Sequence, residues 1–93
     1  MASQSVASVQ TKEYDELLRL LRETREAADV SQEGLSKRLG KARTYIGKIE
    51  AGTRRIDVIE FIAIAGELGC RPTILLDKLL SRLEKAVGSL GHT

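Results

Sequence analysis

Two short apolar runs of helical spacing, separated by Gly40 and closed by Gly52, constrain this chain more than any other feature. The apolar positions are Leu35 and Leu39 in the first run and Ile46 and Ile49 in the second. If both runs face one core, their helices must cross sharply over the turn at residues 40–42. Gly40 supplies that tight turn, and Ser36 lies where the helices come closest, so its side chain has to be small.

The rest of the chain predicts three longer helices around this pair. The first should start near Thr11 or Lys12 and run to about Ala28. Ser31 is the expected N-cap of the second helix, which stops at Gly40, and the third should run from about Arg43 to Ala51. Asp57 and Glu60 form a capping box for a fourth helix that ends at Leu68, and the fifth should run from Pro72 to Gly88.

The apolar stripes of these longer helices predict one common core. The expected core-facing positions are Tyr14, Leu17, Leu18, Leu21, Arg25 and Ala28 in the first helix, Val58, Phe61, Ile62, Ala65 and Leu68 in the fourth, and Leu75, Leu76, Leu79, Leu80, Leu83 and Val87 in the fifth. With 93 residues and only 3% aromatic side chains, the chain suits a single all-α, five-helix domain. Residues 1–10 are interpreted as a flexible arm, residues 11–88 as the domain and residues 89–93 as a disordered tail.

Basic side chains concentrate in the segment that holds the two short helices. Residues 31–55 contain seven Lys or Arg against two Glu, a net charge of +5 in a chain whose total is +2. Such a segment is the footprint expected for a polyanionic partner. A solvated charged surface is the alternative, and charge alone does not decide between the two.

The third helix predicts what this surface contacts. With Ile46 and Ile49 facing inward, Thr44, Gly47, Lys48 and Ala51 face outward and Arg43 projects from the leading end. Small and polar outward residues with a leading arginine suit insertion into the major groove of DNA. The helix-turn-helix geometry and this face therefore point to DNA binding.

The motifs at these positions resemble the Xre family of phage-repressor-like helix-turn-helix domains. The matching residues are Arg25, "SQEGL" at 31–35, "LG" at 39–40, "IGKIEAG" at 46–52 and "ELG" at 67–69. The resemblance implies a five-helix fold that binds operator DNA, usually as a dimer and most often as a repressor. Three positions depart from the family pattern, namely Asp29, Lys41 and Ile56, and they leave the turn geometry open.

Residues with expected roles fall into three groups. The base-reading candidates are Arg43, Thr44 and Lys48; the candidates for the DNA backbone are Gln32, Tyr45, Gly47, Arg54 and Arg55; and the resemblance implies a structural ion pair between Arg25 and Glu50. Arg43 and Lys48 could instead contact phosphate, and Tyr45 could pack rather than bind. Gly47 either lets DNA approach or is merely tolerated, and Gln32, Arg54 and Arg55 could be simple solvent-exposed residues.

Other functional classes find little support in the sequence. Cys70 is expected to fill a core position, His92 lies in the tail, and no pattern predicts a metal site, a cofactor or an enzyme active site. A single cysteine suits a reduced, cytoplasmic setting, and no apolar run is long enough to span a membrane.

Two functions remain from different classes. The first is a sequence-specific DNA-binding regulator, expected to be a repressor that binds a palindromic operator as a homodimer through its C-terminal helix. The second is a protein-interaction module of the same fold, similar to an antitoxin or a coactivator. The wide leucine stripe of the fifth helix either covers the core or is left in part for a partner.

Overall fold

Five α-helices make up the computed structural model, which describes residues 11–87 and the side chains as far as residue 85. They are α1 (Lys12–Ala27), α2 (Gln32–Arg38), α3 (Tyr45–Ala51), α4 (Val58–Glu67) and α5 (Pro72–Val87). The predicted arm, Gly88, the tail with His92 and the side chains of Ala86 and Val87 lie outside the described residues. Within residues 11–87 there is no strand, and the all-α prediction is confirmed.

Side-chain caps fix where the helices begin. The hydroxyl of Thr11 accepts the backbone N–H of Tyr14 at 3.0 Å, and that of Ser31 accepts the N–H of Gly34 at 2.9 Å. At the start of α4, Asp57 and Glu60 form the predicted reciprocal capping box. These caps satisfy backbone donors that the first turn of a helix leaves without intrahelical partners.

The crossing of α2 and α3 centres on Ser36, which is fully buried. Its hydroxyl donates to the carbonyl oxygen of Gln32 at 2.9 Å and accepts the N–H of Ile46 at 3.0 Å. Between the two helices, Gly40 takes the left-handed conformation with φ of 71°. A small hydroxyl therefore joins the helices where the sequence predicted their closest approach, and the inward faces of both helices reach the core.

The third helix starts later than predicted. Arg43 and Thr44 lie in a turn, and the first helical residue is Tyr45. The N–H of Tyr45 donates to the carbonyl oxygen of Ala42 at 2.9 Å, so residues 42–45 close a turn before the helix begins. Both residues consequently lead into α3 instead of forming its first turn.

The core-facing side of α4 also differs from the prediction. Ala65 and Leu68 are buried as expected and Phe61 is half-buried, but Val58 is 70% exposed and Ile62 is 46% exposed. Ile64, which was not in the predicted stripe, is 2% exposed and takes the inward position. The helix is apolar on more than one side, and the core selects only part of that surface.

The leucine stripe of α5 divides in a similar way. Leu75 and Leu83 are buried and Leu79 packs at the edge of the core, whereas Leu76 and Leu80 are exposed. On α1, Leu20 joins the core although it was not predicted, and Ala28, just after the last residue of the helix, is exposed. Cys70 is half-buried against the core. None of the helices in residues 11–87 is long and apolar enough to cross a membrane.

Candidate nucleic-acid interface

The exposed side of α3 presents a polar surface beside the start of α2. Thr44, Lys48 and Ala51 are exposed, while Ile46 and Ile49 on the opposite side are buried. A shallow depression of about 290 Å³ lies on this surface, and Gln32, Arg43, Thr44, Gly47 and Lys48 contribute to its lining. The structure thus brings the three base-reading candidates together with two of the backbone candidates.

Arg43 extends into solvent from the turn before α3. Its guanidinium Nη1 lies 3.2 Å from Oε2 of Glu33, and both side chains are more than half exposed. An ion pair so open to water contributes little to stability, because solvent screens it and holding two long side chains costs entropy. Arg43 can therefore leave Glu33 for a new acceptor at small cost.

Arg25 and Glu50 form a bidentate ion pair that ties α1 to the end of α3. Nε and Nη2 of Arg25 donate to the two carboxylate oxygens of Glu50 at 2.7 and 3.0 Å, and Nη1 donates to the carbonyl of Val30 at 2.8 Å. Hydrogen bonding to Glu50 raises the pKa of Arg25 above its usual value. One guanidinium thereby fixes α3 and the loop before α2 against α1.

Gln32 joins this pair from the first turn of α2. Its side-chain Nε2 donates to Oε1 of Glu50 at 2.8 Å. Its side-chain amide oxygen Oε1 lies over Gly47, only 3.3 Å from where a β-carbon on that residue would stand. Gln32 remains exposed, so its amide is held in place at the surface of the depression.

Arg54 is paired within the protein. Its guanidinium donates to both carboxylate oxygens of Glu60 at 3.0 and 2.8 Å and also to the carbonyl of Arg55 at 2.9 Å. It lies 4.9 Å from the centre of the Tyr45 ring. These contacts join the loop after α3 to the start of α4, which favours a supporting role for Arg54.

Tyr45 is buried at the start of α3. Lys41 and Arg54 lie over its ring at 5.4 and 4.9 Å, and burial, with Glu60 nearby, raises the pKa of its hydroxyl. Of the two roles that the sequence leaves open for Tyr45, the structure favours packing. Its ring packs in the core beneath the first turn of α3.

Arg55 and Tyr14 connect the same loop to the start of α1. The guanidinium carbon of Arg55 lies 4.1 Å from the centre of the Tyr14 ring, and the Tyr14 hydroxyl accepts the N–H of Ile56 at 3.1 Å. Arg55 nevertheless remains exposed. Of the two arginines in the loop, Arg54 is paired with a carboxylate, whereas Arg55 has no ion pair within residues 11–87.

Three side chains contact the arginines of this region although the sequence analysis did not propose them as partners. Glu33 pairs with Arg43, Glu60 with Arg54, and Tyr14 stacks with Arg55. Glu60 carried a partial signal, since its capping-box position already fixed it near the loop. No sequence spacing predicts the other two pairs, because they depend on how the turns fold.

Within residues 11–87 no group of acidic, His or Cys side chains could hold a metal ion.

A second surface, on the side formed by α4 and α5, is apolar. A groove of about 340 Å³ runs between α1, the start of α4 and α5, and its apolar lining includes Leu17, Ile56, Val58, Phe61, Ile62 and Leu76. Ile59, Ile74 and Leu80, which do not line the groove, are also exposed. We call the six groove residues the apolar face.

Comparison with known proteins identifies a family and a similar solved structure. Residues 21–75, more than half of the chain, match the model of a helix-turn-helix family. A solved structure described as an XRE-family like protein from Pseudomonas syringae pv. tomato is 41% identical, with a TM-score of 0.72, over 75% of this chain and 85% of that one. No match was found among curated proteins.

Proposed function

Because the chain belongs to the XRE-type helix-turn-helix family of DNA-binding regulators, we propose that it is a sequence-specific, cytoplasmic repressor that binds a palindromic operator as a homodimer. One observation carries the proposal, namely the division of α3 into a buried apolar side and an exposed polar side. A helix fixed in this way can enter the major groove without losing core contacts.

The proposed DNA contacts follow from exposure and pairing. Arg43, Thr44 and Lys48 are the base readers, because their side chains are exposed at the leading end and outer side of α3. An arginine can bond a guanine edge through two donors, and a threonine can bond a base or contact a thymine methyl group. Gln32 and Arg55 contact phosphates on either side, whereas Tyr45 packs beneath the surface and Arg54 is held by Glu60.

The proposed dimer uses the apolar face. Exposed aliphatic side chains and an open groove would lose contact with water if a second copy covered them, and burial of apolar surface drives association. Twofold symmetry would place two recognition helices about 34 Å apart, one turn of DNA. This spacing is what a palindromic operator requires.

The protein-interaction module remains a second candidate because of the same apolar face. A different protein could occupy the groove in place of a second copy. In that case the chain would act mainly by holding its partner, and DNA would bind weakly or not at all.

Selection of bound sites from random DNA tests the proposed function. We expect one enriched palindrome whose half-sites are about one helical turn apart. Titration of that operator and a scrambled sequence over several salt concentrations then separates specific from non-specific binding. If the protein binds neither DNA at low salt, the regulator proposal is wrong and the interaction module replaces it.

A further inference from the structure

Gly47 is an unexpected residue on the exposed side of a seven-residue helix. Glycine in a helix interior costs about 1 kcal/mol relative to alanine, so its presence calls for a compensating reason. The backbone does not supply one, since the left-handed glycines of the described residues are Gly40, Gly52 and Gly69. The reason has to lie in what stands where the β-carbon of residue 47 would be.

The side-chain amide of Gln32 stands there. Its oxygen would be 3.3 Å from a β-carbon on residue 47, a contact tight enough that the amide would have to retreat by a few tenths of an ångström. Gly66, a helical glycine of α4, provides a contrast, because an added β-carbon there has no neighbour within 4 Å. The crowding at residue 47 is therefore specific to Gln32.

The orientation of the Gln32 amide is set by Glu50. A carboxylate can only accept hydrogen bonds, so the amide nitrogen must face Glu50 and the amide oxygen must face Gly47. The same carboxylate accepts both hydrogen bonds from Arg25 and cannot turn away without breaking a buried ion pair. One hydrogen of Nε2 is used by Glu50, and the second is available at the exposed surface.

We propose that Gly47 and Glu50 are positioning residues for Gln32, Gly47 by leaving space for its amide and Glu50 by holding the amide nitrogen in that space. The inference rests on the proposed function for its effect on DNA, because the remaining N–H of Gln32 is the donor assigned to a phosphate. On this proposal residue 47 is glycine because a β-carbon there would displace the Gln32 amide. Neither close approach of DNA nor simple tolerance, the two explanations left open by the sequence, is then needed.

Operator binding by four variants tests this proposal. Gly47→Ala should weaken operator binding about fivefold in the wild-type background, the equivalent of one net hydrogen bond, and should have no effect in a Gln32→Ala background. Gly66→Ala is the matched control, since it makes the same change in a helix and should leave binding unaltered. The melting temperature of Gly47→Ala should not fall, because alanine favours the helix.

Two results in the binding assay would overturn the proposal. Equal weakening by Gly47→Ala in both backgrounds would mean that DNA itself approaches residue 47. No weakening in either background would mean that the glycine is merely tolerated.

A measurement without DNA separates this inference from the proposed function. The chain has three glutamines and no asparagine, so its NMR spectrum contains only three side-chain amide pairs, and Gln32→Ala identifies the pair that belongs to residue 32. That pair should shift in Gly47→Ala and stay in place in Gly66→Ala. An unmoved pair would overturn the positioning even if the protein binds its operator, whereas a moved pair in a protein that binds no DNA would contradict the proposed function alone.

Discussion

Two arginines of the helix-turn-helix region, Arg43 and Arg25, have opposite surroundings. The Arg43 side chain is 73% exposed and meets one exposed carboxylate, whereas that of Arg25 is 10% exposed and makes three hydrogen bonds. Their charge is the same, but water screens the first interaction and not the second. We therefore expect substitution to affect DNA recognition at one position and folding at the other.

Arg43→Ala should reduce specificity more than affinity for DNA in general. If Arg43 bonds a base edge, its loss costs about 1–3 kcal/mol on the operator and much less on scrambled DNA. Arg55→Ala is the comparison variant, which should weaken both DNAs alike and lower the salt slope by about one. Equal weakening of both DNAs by Arg43→Ala would make Arg43 a phosphate contact.

Arg25→Ala and Glu50→Ala should each destabilise the fold by about 3–5 kcal/mol, because either change leaves a buried charge without its partner. The measurement is the free energy of unfolding in urea. Arg22→Ala, which removes an exposed arginine from the same helix, should change it by less than about 0.5 kcal/mol. An unfolding free energy unchanged by Arg25→Ala would contradict this assignment.

At the scale of elements, short side chains and ion pairs decide how α2, α3 and α4 meet. Ser36 joins α2 to α3, and Glu60 joins the loop after α3 to the start of α4. Both contacts satisfy groups that the neighbouring element would otherwise leave unpaired. We therefore expect stability to fall when the hydroxyl of Ser36 is removed or the carboxylate of Glu60 is neutralised.

Ser36→Ala should destabilise the domain by about 1–3 kcal/mol, because the buried N–H of Ile46 loses its acceptor. Ser36→Val should cost more, since the fully buried site must also accommodate additional carbon atoms. Ser81→Ala on the exposed side of α5 serves as the control. Equal melting temperatures for wild type and Ser36→Ala would show that the crossing does not depend on this hydroxyl.

Glu60 should make the stability of the domain depend on pH. Hydrogen bonds from Arg54, and after them from the N–H of Asp57, lower the pKa of Glu60 to about 2. Because this lies below the usual value of about 4.3, the stabilisation is complete above about pH 5 and is lost as the pH falls towards 2. Glu60→Gln should therefore be less stable than wild type at pH 7 and nearly equal to it near pH 2.

Urea unfolding at both pH values measures this difference. Glu67→Gln removes a charge from the same helix without contacting Arg54 and is the control. A deficit for Glu60→Gln that is the same at both pH values would contradict the pKa-based explanation.

The sequence predicted these elements better than their orientation. Caps at Ser31 and Asp57 and the glycine at 40 are local signals, so the bounds of α2 and α4 followed from them. On α4, apolar residues occur on several sides, and only packing against the other helices chooses Ile64 over Ile62. The partners of Arg43 and Arg55 were likewise not predictable, because the folding of the turns determines which side chain each arginine meets.

At the scale of the whole molecule, the proposed recognition surface and the apolar face lie on different helices. The polar depression belongs to α2, α3 and their neighbouring turns, whereas the exposed aliphatic residues belong mainly to α4 and α5. A second copy could therefore cover the apolar face and leave the recognition surface open. Dimerisation and DNA contact should be separable by substitution.

Leu76→Glu should produce a monomer that remains folded, because Leu76 is half exposed in the groove and a charge there opposes burial by a second copy. Light scattering with and without operator DNA measures the mass. Ser81→Glu, which adds the same charge elsewhere on α5, should remain a dimer. A wild-type protein of monomer mass at high concentration with operator present would rule out the dimer and leave the face to a different protein.

The separation of the two sides of α3 has an evolutionary consequence. Thr44 and Lys48 are exposed and lie outside the core, so after gene duplication one copy could drift at these positions towards another target and still fold. Residue 47 is less free to change, since any larger side chain there displaces Gln32. Descendants of this chain should therefore diversify around a conserved glycine, and their targets should differ in base sequence while the placement of the protein on the DNA backbone is inherited.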